Sequence, residues 1–349
     1  MNFDVQVVHS VEEVGQEAWD FLGRNRPFAS FRWYRFGERA MAYARPVYVI
    51  VSLQGEPVAR ATCWLTHREV MPMSSRVMCY LVEALLRSRP LLMCQAPLTD
   101  STASPGLILP APPLRDAALQ TIGKVAIELG RQYHASFCIF SYLEEDETHW
   151  PGWPSVYVPA TTPGPGTRLD IVWPNFEAYL AHLNKKQRYN VRRNYRLAAQ
   201  SGIEVKAYPK ATNIDLAMKL HRNVTRHHRS RPEPWVRGAL EHADLVDTIW
   251  LAAEVDGQLV GCELMLGDRD AWLVTALGLD YGVSYAYFVL GYADIRHAIE
   301  RGARVLRWGS LTYEVKERLG FQKESNNHDM FVGLGWFHRL GKWIATSWT

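Results

Sequence analysis

Hydrophobic and polar residues alternate through FDVQVVHS near the N-terminus, which predicts a strand. The spacing lengthens to three or four residues through VEEVGQEAWDFLGR and SFRWYRFGERA, predicting two helices. VYVIVSL and VARATCWL follow as β-rich runs joined by a glycine turn, QGEP. Two hundred residues later the series returns: IEVKAYPK, then the helical patterns NIDLAMKLHRNVTRHH and PWVRGALEHA, then IWLAAEV and QLVGCELML across a DG turn. Phe3 aligns with Ile203 and Gln54 with Asp256. The recurrence predicts two copies of one unit, each a strand, two helices and an antiparallel hairpin.

The second copy runs on through AWLVTALGLD as a third meander strand. It then switches to a helix over YAYFVLGYADIRHAIERG that stops at Gly302, a strand VLRWGS, a short helix TYEVKERLG and a last strand DMFVGLG. Between the copies, PGWPSVYVPATTPGPG is too rich in proline and glycine for one continuous element and marks a boundary. The expected organisation is α+β: a domain over 1–150, a linker over 151–166, and a second domain over 167–349 that opens with a basic helix over 175–200. Each domain should be a mixed, mostly antiparallel sheet flanked by helices.

Composition narrows the class. With 48% hydrophobic and 21% charged residues in 349, the chain is of the globular kind. No apolar run approaches a membrane span, and acids stand where a secretory leader would be basic, so a cytoplasmic protein is expected. Cys63, Cys79, Cys94, Cys138 and Cys262 lie in apolar segments without metal or disulfide spacing, so packing cysteines and no metal site are expected.

Charge is the informative departure. From Lys185 to Arg231 thirteen Lys and Arg stand against Glu204 and Asp215, so with a net charge of +3 the rest of the chain sums to −8. Such asymmetry points to an anionic partner: RNA, a phosphorylated cofactor or an acidic substrate. On a helix, Leu180, Leu183, Val191, Tyr195 and Ala198 share one side. Lys185, Lys186, Arg188, Arg192, Arg193 and Arg196 cover the other, with Tyr189 among them. No glutamates intervene to pair them. An RNA acceptor end, held by Arg and Lys with a base stacked on Tyr189, suits this face, as does a phosphorylated small acceptor. The segment LHRNVTRHHRSR adds Arg226 to the basic set.

The order of elements, with FEAYLAHLNKKQRYNVRRNYRLAAQSGIEV, GLD at 278–280, IERGARVLRWG, the Tyr313–Phe321 motif Y-x-x-K-x-x-L-G-F, and PFASFRWYRF at 27–36, resembles the Fem-type group of GNAT acyltransferases. The resemblance implies two tandem GNAT units and acyl transfer to a nucleophile, with aminoacyl-tRNA the donor for Fem-type enzymes and a CoA thioester for other GNAT enzymes. Two departures stand out. There is no long coiled-coil insertion of the cell-wall Fem kind, and Trp308-Gly309 occupies a place where relatives often carry an acid.

The expected phosphate loop of a CoA user falls at GLDYGVSYAYFVLG, where one glycine, Gly282, precedes three bulky aromatics and leaves little room for backbone to wrap a diphosphate. That favours aminoacyl-tRNA as co-substrate, with acyl-CoA as the alternative and no tightly bound cofactor. Amide formation needs a proton acceptor for the amine and a donor for the oxyanion. Lys316, where the Fem-type motif has its lysine, is the oxyanion or phosphate candidate. Glu263, an acid amid the apolar GCELML, is the base candidate. Tyr313 is a candidate proton donor, and Asp280 could bind a donated amino group or merely form a turn. Tyr281, Trp308, Ser310, His227 and Trp235 are substrate-binding candidates, the last equally a core residue. The acceptor is expected to be a small-molecule or peptide amine from a biosynthetic setting. A non-catalytic nucleic-acid-binding GNAT pair is a third reading.

Overall fold

The computed structural model describes residues 3–24, 26–68, 84–98, 104–335 and 337. The chain forms two compact units, Met1–Pro165 with Ser325–Thr349, and Gly166–Glu324. Cys79 lies outside the described residues, and the other four cysteines are buried and free.

The first unit follows the predicted order. Strand β1 (Asp4–Val8) leads to α1 (Gln16–Gly23), α2 (Phe31–Ala40) and the hairpin β2 (Arg45–Leu53) and β3 (Glu56–Thr66). Then come β4 (Leu91–Cys94), β5 (Leu107–Ile108), α3 (Arg115–Gln132), β6 (Phe137–Leu143) and β7 (Val158–Thr161). The helix expected through VEEVGQEAWDFLGR is interrupted: Val11–Glu13 is a single 3₁₀ turn, and Gly15 at φ 85° redirects the chain before α1 begins.

The second unit contains β8 (Thr167–Asp170), α4 (Phe176–His182), α5 (Lys185–Gln200), β9 (Glu204–Tyr208), α6 (Ile214–His227) and α7 (Val236–His242). It continues with β10 (Asp247–Val255), β11 (Gln258–Asp268), β12 (Ala271–Leu279), α8 (Ala286–Glu300), β13 (Val305–Trp308), α9 (Tyr313–Arg318) and β14 (Gln322–Lys323). The single basic helix expected over 175–200 is two helices. Asn184 is extended at φ −69° and ψ 167°, and forms a reciprocal capping box with Gln187, starting α5 afresh after α4.

The hairpins show the duplication in detail. Gln54-Gly55 and Asp256-Gly257 both turn through two positive φ values, and the register slips at Val51/Ser52 in one copy and Ala253/Glu254 in the other, the same step from the turn. On this alignment Ala61 in β3 stands where Glu263 stands in β11.

The last strand, β15 (His328–Gly333), departs from the expected domains. Its segment DMFVGLG was expected to complete the second sheet, but it pairs with β6 and β7 in the first unit, whose sheet order is β1-β2-β3-β4-β6-β15-β7. In the second sheet, β9-β10-β11-β12-β13-β8-β14, the corresponding place belongs to β8. Hydrophobic alternation specifies a strand but not which sheet edge receives it, which is why the sequence assigns DMFVGLG to its neighbours in the chain. The Pro/Gly-rich boundary also holds a real strand, β7, paired with β15.

Candidate active site

Glu263 lies in the middle of β11, whose residues from Val260 to Asp268 are all buried. The β11–β12 register runs Cys262↔Gly278 and then Leu264↔Thr275, so Glu263 faces the two bulge residues Ala276 and Leu277. Ala276 takes φ 53°, which turns the β12 backbone out of its ladder. Helix α6 steadies the strand beyond the bulge: His221 Nδ1 meets the Leu277 carbonyl at 2.9 Å, and Asn223 Nδ2 donates to the Leu279 carbonyl at 3.2 Å. The helix can lie this close because Gly278 has no side chain; a Cβ there would come within 2.8 Å of both Leu220 Cβ and Cys262 Sγ.

Burial pushes the Glu263 carboxyl up to about 7, a rise held in check by Asp294 as a hydrogen-bonding neighbour and by the positive charge of Lys316. Asp294, on α8, is fully buried, and among the described residues neither of its oxygens meets an aligned donor. Burial first, and the Glu263 charge second, hold it well above the usual carboxylate range. The Trp308 indole, also without an aligned partner, acts on it as a donor and opposes that rise. Gly291 makes room for it, since a Cβ at that point of α8 would stand 2.9 Å from Trp308 Cη2.

Lys316 is buried at 5% exposure, and its ammonium donates to the Gly309 carbonyl and, at 3.1 Å, to that of Ser310. Burial pushes it down to about 8, with Glu263 opposing. Two N–H groups thus hold the Gly309–Thr312 loop, in which Leu311 and Thr312 both take positive φ, and the third has no acceptor among the described residues. Tyr287, on α8, meets Thr312 Oγ1 at 3.3 Å, and its phenol is pushed up to about 12 by burial and in smaller part by Glu263 and Asp294.

Tyr287 also lines a cavity of about 360 Å³ at the α8 N-terminus, together with Asp280, Tyr281, Ser284, Tyr285 and Phe288. Tyr281 stacks on His227 with ring centroids 4.0 Å apart. A second cavity, about 230 Å³, shares Phe288 and is lined by Gln187, Asn190 and Arg193 of α5, by Tyr292, and by Arg318. The helix carrying the basic face is therefore built into a pocket wall.

The structure thus brings Glu263, Lys316, Tyr281 and His227 to one end of the second unit. It reassigns others. Asp280 accepts from the Gly282 N–H at 2.9 Å and forms the turn on the cavity rim. Tyr313 lies beneath the Lys323 ammonium, 4.6 Å from its ring centre, so the phenol beside the carboxyls is Tyr287. Ser310 contributes its carbonyl to Lys316. Trp308 stacks on Phe321 at 4.2 Å inside the core, and Trp235 is 3% exposed, so neither presents a face to substrate. Arg188 donates to the carbonyls of Ala181 and Leu183, closing the end of α4. Lys185, Lys186, Tyr189, Arg192, Arg193, Arg196 and Arg226 are exposed, and none of these cations is ion-paired with a described residue.

Asp294, Tyr287 and Asn194, which donates to Tyr292 at 2.8 Å, were missed in the sequence. The one available signal was an aspartate on the otherwise apolar face of YAYFVLGYADIRHAI.

Residues 185–317 match the acetyltransferase (GNAT) domain family, a span containing Glu263, Asp294 and Lys316. Comparison with curated proteins finds no match. Among solved structures, FemX aligns with a TM-score of 0.62 at 10% identity over 97% of this chain and 100% of its own. A tandem GNAT protein from the clavulanic acid biosynthesis pathway aligns at 0.59 and 12% identity over 96% and 99%. The C-terminal domain of a proposed lysylphosphatidylglycerol synthetase from Agrobacterium fabrum aligns at 0.53 and 10% identity over 97% of both chains. The fold is that of a tandem GNAT protein, and the class is GNAT-type acyltransferase, which sets aside the non-catalytic reading. Among the described residues no helix is long and apolar enough to cross a membrane.

Proposed function

We propose that the chain forms amide bonds by transferring an aminoacyl group from aminoacyl-tRNA to the amine of a small-molecule or peptide acceptor, in the cytoplasm. The observation that carries this reading is the unpaired basic face of α5, with exposed Tyr189, beside a cavity that Arg193 itself lines. A solvated helix normally offsets such charge with acids at i±4; this one leaves it open to a polyanion. FemX and the lysylphosphatidylglycerol synthetase domain supply the analogy, at the level of fold.

The chemistry follows from the residues. The acceptor nitrogen attacks the ester carbonyl, the N–C bond forms, and Glu263 takes the amine proton. A base near 7 is matched to that task, because it is ionised at neutral pH yet holds the proton well enough to return it. The free N–H of Lys316 faces the oxyanion, and as the C–O bond breaks the ribose oxygen leaves with the proton that Glu263 gives back.

A second reading, an acyl-CoA donor, is favoured by the cavity at the α8 N-terminus, where the N-cap residue Tyr285 makes no side-chain capping bond and a phosphate would meet the helix dipole. Against it, the Gly282 and Val283 N–H groups are already spent on Asp280. The test is amide product from charged tRNA and a panel of amines, compared with acetyl-CoA under the same conditions. Product from charged tRNA, abolished by ribonuclease, is expected. Product from acetyl-CoA alone would select the second reading.

A further inference from the structure

Glu263 on β11 and Asp294 on α8 are two buried carboxyls that act directly on one another, and three observations bear on how they divide their charge. Both Asp294 oxygens and Oε2 of Glu263 are buried without an aligned donor among the described residues, so a proton held between the two carboxyls would satisfy an oxygen that nothing else does. With one proton there, an oxygen on each side is satisfied; with none, two like charges would stand in a site closed to water. The surroundings are also asymmetric. The ammonium of Lys316 acts on Glu263 and is not among the groups acting on Asp294, whose other polar neighbour is the neutral Trp308 indole. The remaining titratable groups are Tyr287 from α8 and Cys262 from β11, both pushed up by burial and neutral near pH 7. The single negative charge is therefore best placed on Glu263, beside the cation.

We propose that Asp294 is a positioning residue that keeps its own proton and donates it to Glu263, so that Glu263 is the pair's one carboxylate, held in orientation for the acceptor amine. The amine proton then goes to Glu263 and on to the leaving oxygen, while the Asp294 proton stays in place throughout. Rigid support comes from both sides: Asp294 sits a turn beyond Gly291, against which Trp308 packs, and Glu263 faces the bulge held by α6. The same shared proton explains why two acids are tolerated in an apolar layer, since a neutral acid hydrogen-bonded to one anion costs far less than two anions.

The role of Glu263 as base rests on the acyl-transfer reading, but the location of the proton does not, so the two can fail separately. The experiment uses the full chain without ligand. Side-chain carboxyl NMR, with the Glu263 signal assigned by its loss in Glu263→Gln, gives the Glu263 titration, and infrared difference spectra show buried protonated carboxylic acid.

In the wild type, above the Glu263 midpoint, a protonated-acid band is expected to persist and to vanish in Asp294→Asn. The variant's amide is a neutral donor, so the Glu263 midpoint should stay within about half a pH unit of wild type, with the acidic limb of the rate profile unmoved. Asp294→Ala removes the donor and should raise that midpoint by about one unit, a tenfold change in proton affinity. If Asp294→Asn instead lowers the Glu263 midpoint by a unit or more, a like charge has been removed and the proposal is overturned. Absence of the persistent band overturns it as well. Should Asp294→Ala not fold, the direction of the Asp294→Asn shift decides alone. If the carboxyl results hold and charged tRNA gives no product, the proton assignment stands and the donor assignment falls.

Discussion

Replacing Glu263 with glutamine should stabilise the protein while abolishing its activity, and the size of the gain should depend on pH. The folded chain keeps the Glu263 proton up to about pH 7, whereas an unperturbed carboxyl releases it near 4.5. A folded value above the unfolded one means that this group's contribution to stability is whole below 4.5 and is lost as pH rises through 7. Moving a carboxyl that far corresponds to roughly 3 kcal/mol at about 1.4 kcal/mol per pH unit. Glutamine cannot ionise, so it escapes that loss, though part of the gain is returned because the buried Lys316 ammonium loses the anion that raises its own proton affinity. The net expectation for Glu263→Gln is a stabilisation of about 1–3 kcal/mol at pH 8.5, or a Tm higher by roughly 2–8 °C, shrinking to under about 1 kcal/mol at pH 5. Urea unfolding and thermal melts of wild type and variant at both pH values measure it, with Glu317→Gln, an exposed partner of Lys323, as the control. A difference between variant and wild type that is equal at pH 5 and 8.5 would refute the reasoning.

The rate itself should follow a bell-shaped pH profile, rising through about 7 as Glu263 ionises and falling through about 8 as Lys316 loses its proton; a flat kcat/KM from pH 6 to 9 contradicts this assignment. Lys316→Ala should lower kcat on the order of 10²–10³-fold with donor affinity nearly intact if the free N–H serves the oxyanion, whereas weakened donor binding in titrations would make it a ground-state phosphate ligand. Gly291→Ala should cost about 1–3 kcal/mol by driving a methyl into Trp308, read by denaturant unfolding, and an unchanged midpoint would mean the indole is free to move. Changing Lys185, Arg192, Arg193 and Arg196 together to alanine should flatten the salt dependence of tRNA binding by about 0.7–0.9 in log–log slope for each phosphate that is no longer neutralised. An unaltered slope would return α5 to ordinary solvation.

Much of this architecture is local in origin and therefore readable along the chain. Hairpin turns at Gln54-Gly55 and Asp256-Gly257, the α8 stop at Gly302 and the amphipathic α6 each depend on a few adjacent residues, and the sequence displays them. Glu263 and Lys316 were legible because a charged group is conspicuous in an apolar strand or in a motif. What escaped depends on distant partners. Asp294 gains its meaning only when α8 packs over β11, and β15 gains its place only when the first sheet leaves an edge beside β6. The Asn184–Gln187 capping box was within reach, being an N-x-x-Q spacing, but the continuous apolar stripe across it suggested one helix. Trp308 illustrates the opposite error: an aromatic beside a motif reads as a binding surface, and burial against Phe321 makes it a wall.

The most direct test of the central claim is a single-turnover reaction of the full chain with tRNA charged by a mixture of radiolabelled amino acids, in the presence of a panel of diamines, amino acids and short peptides. Label should pass from the ribonuclease-sensitive tRNA fraction into an amide product that survives mild alkali, and Glu263→Gln should stop that transfer while leaving tRNA bound. Label that stays on the tRNA throughout, with acetyl-CoA instead yielding the amide in the same mixture, would contradict the account.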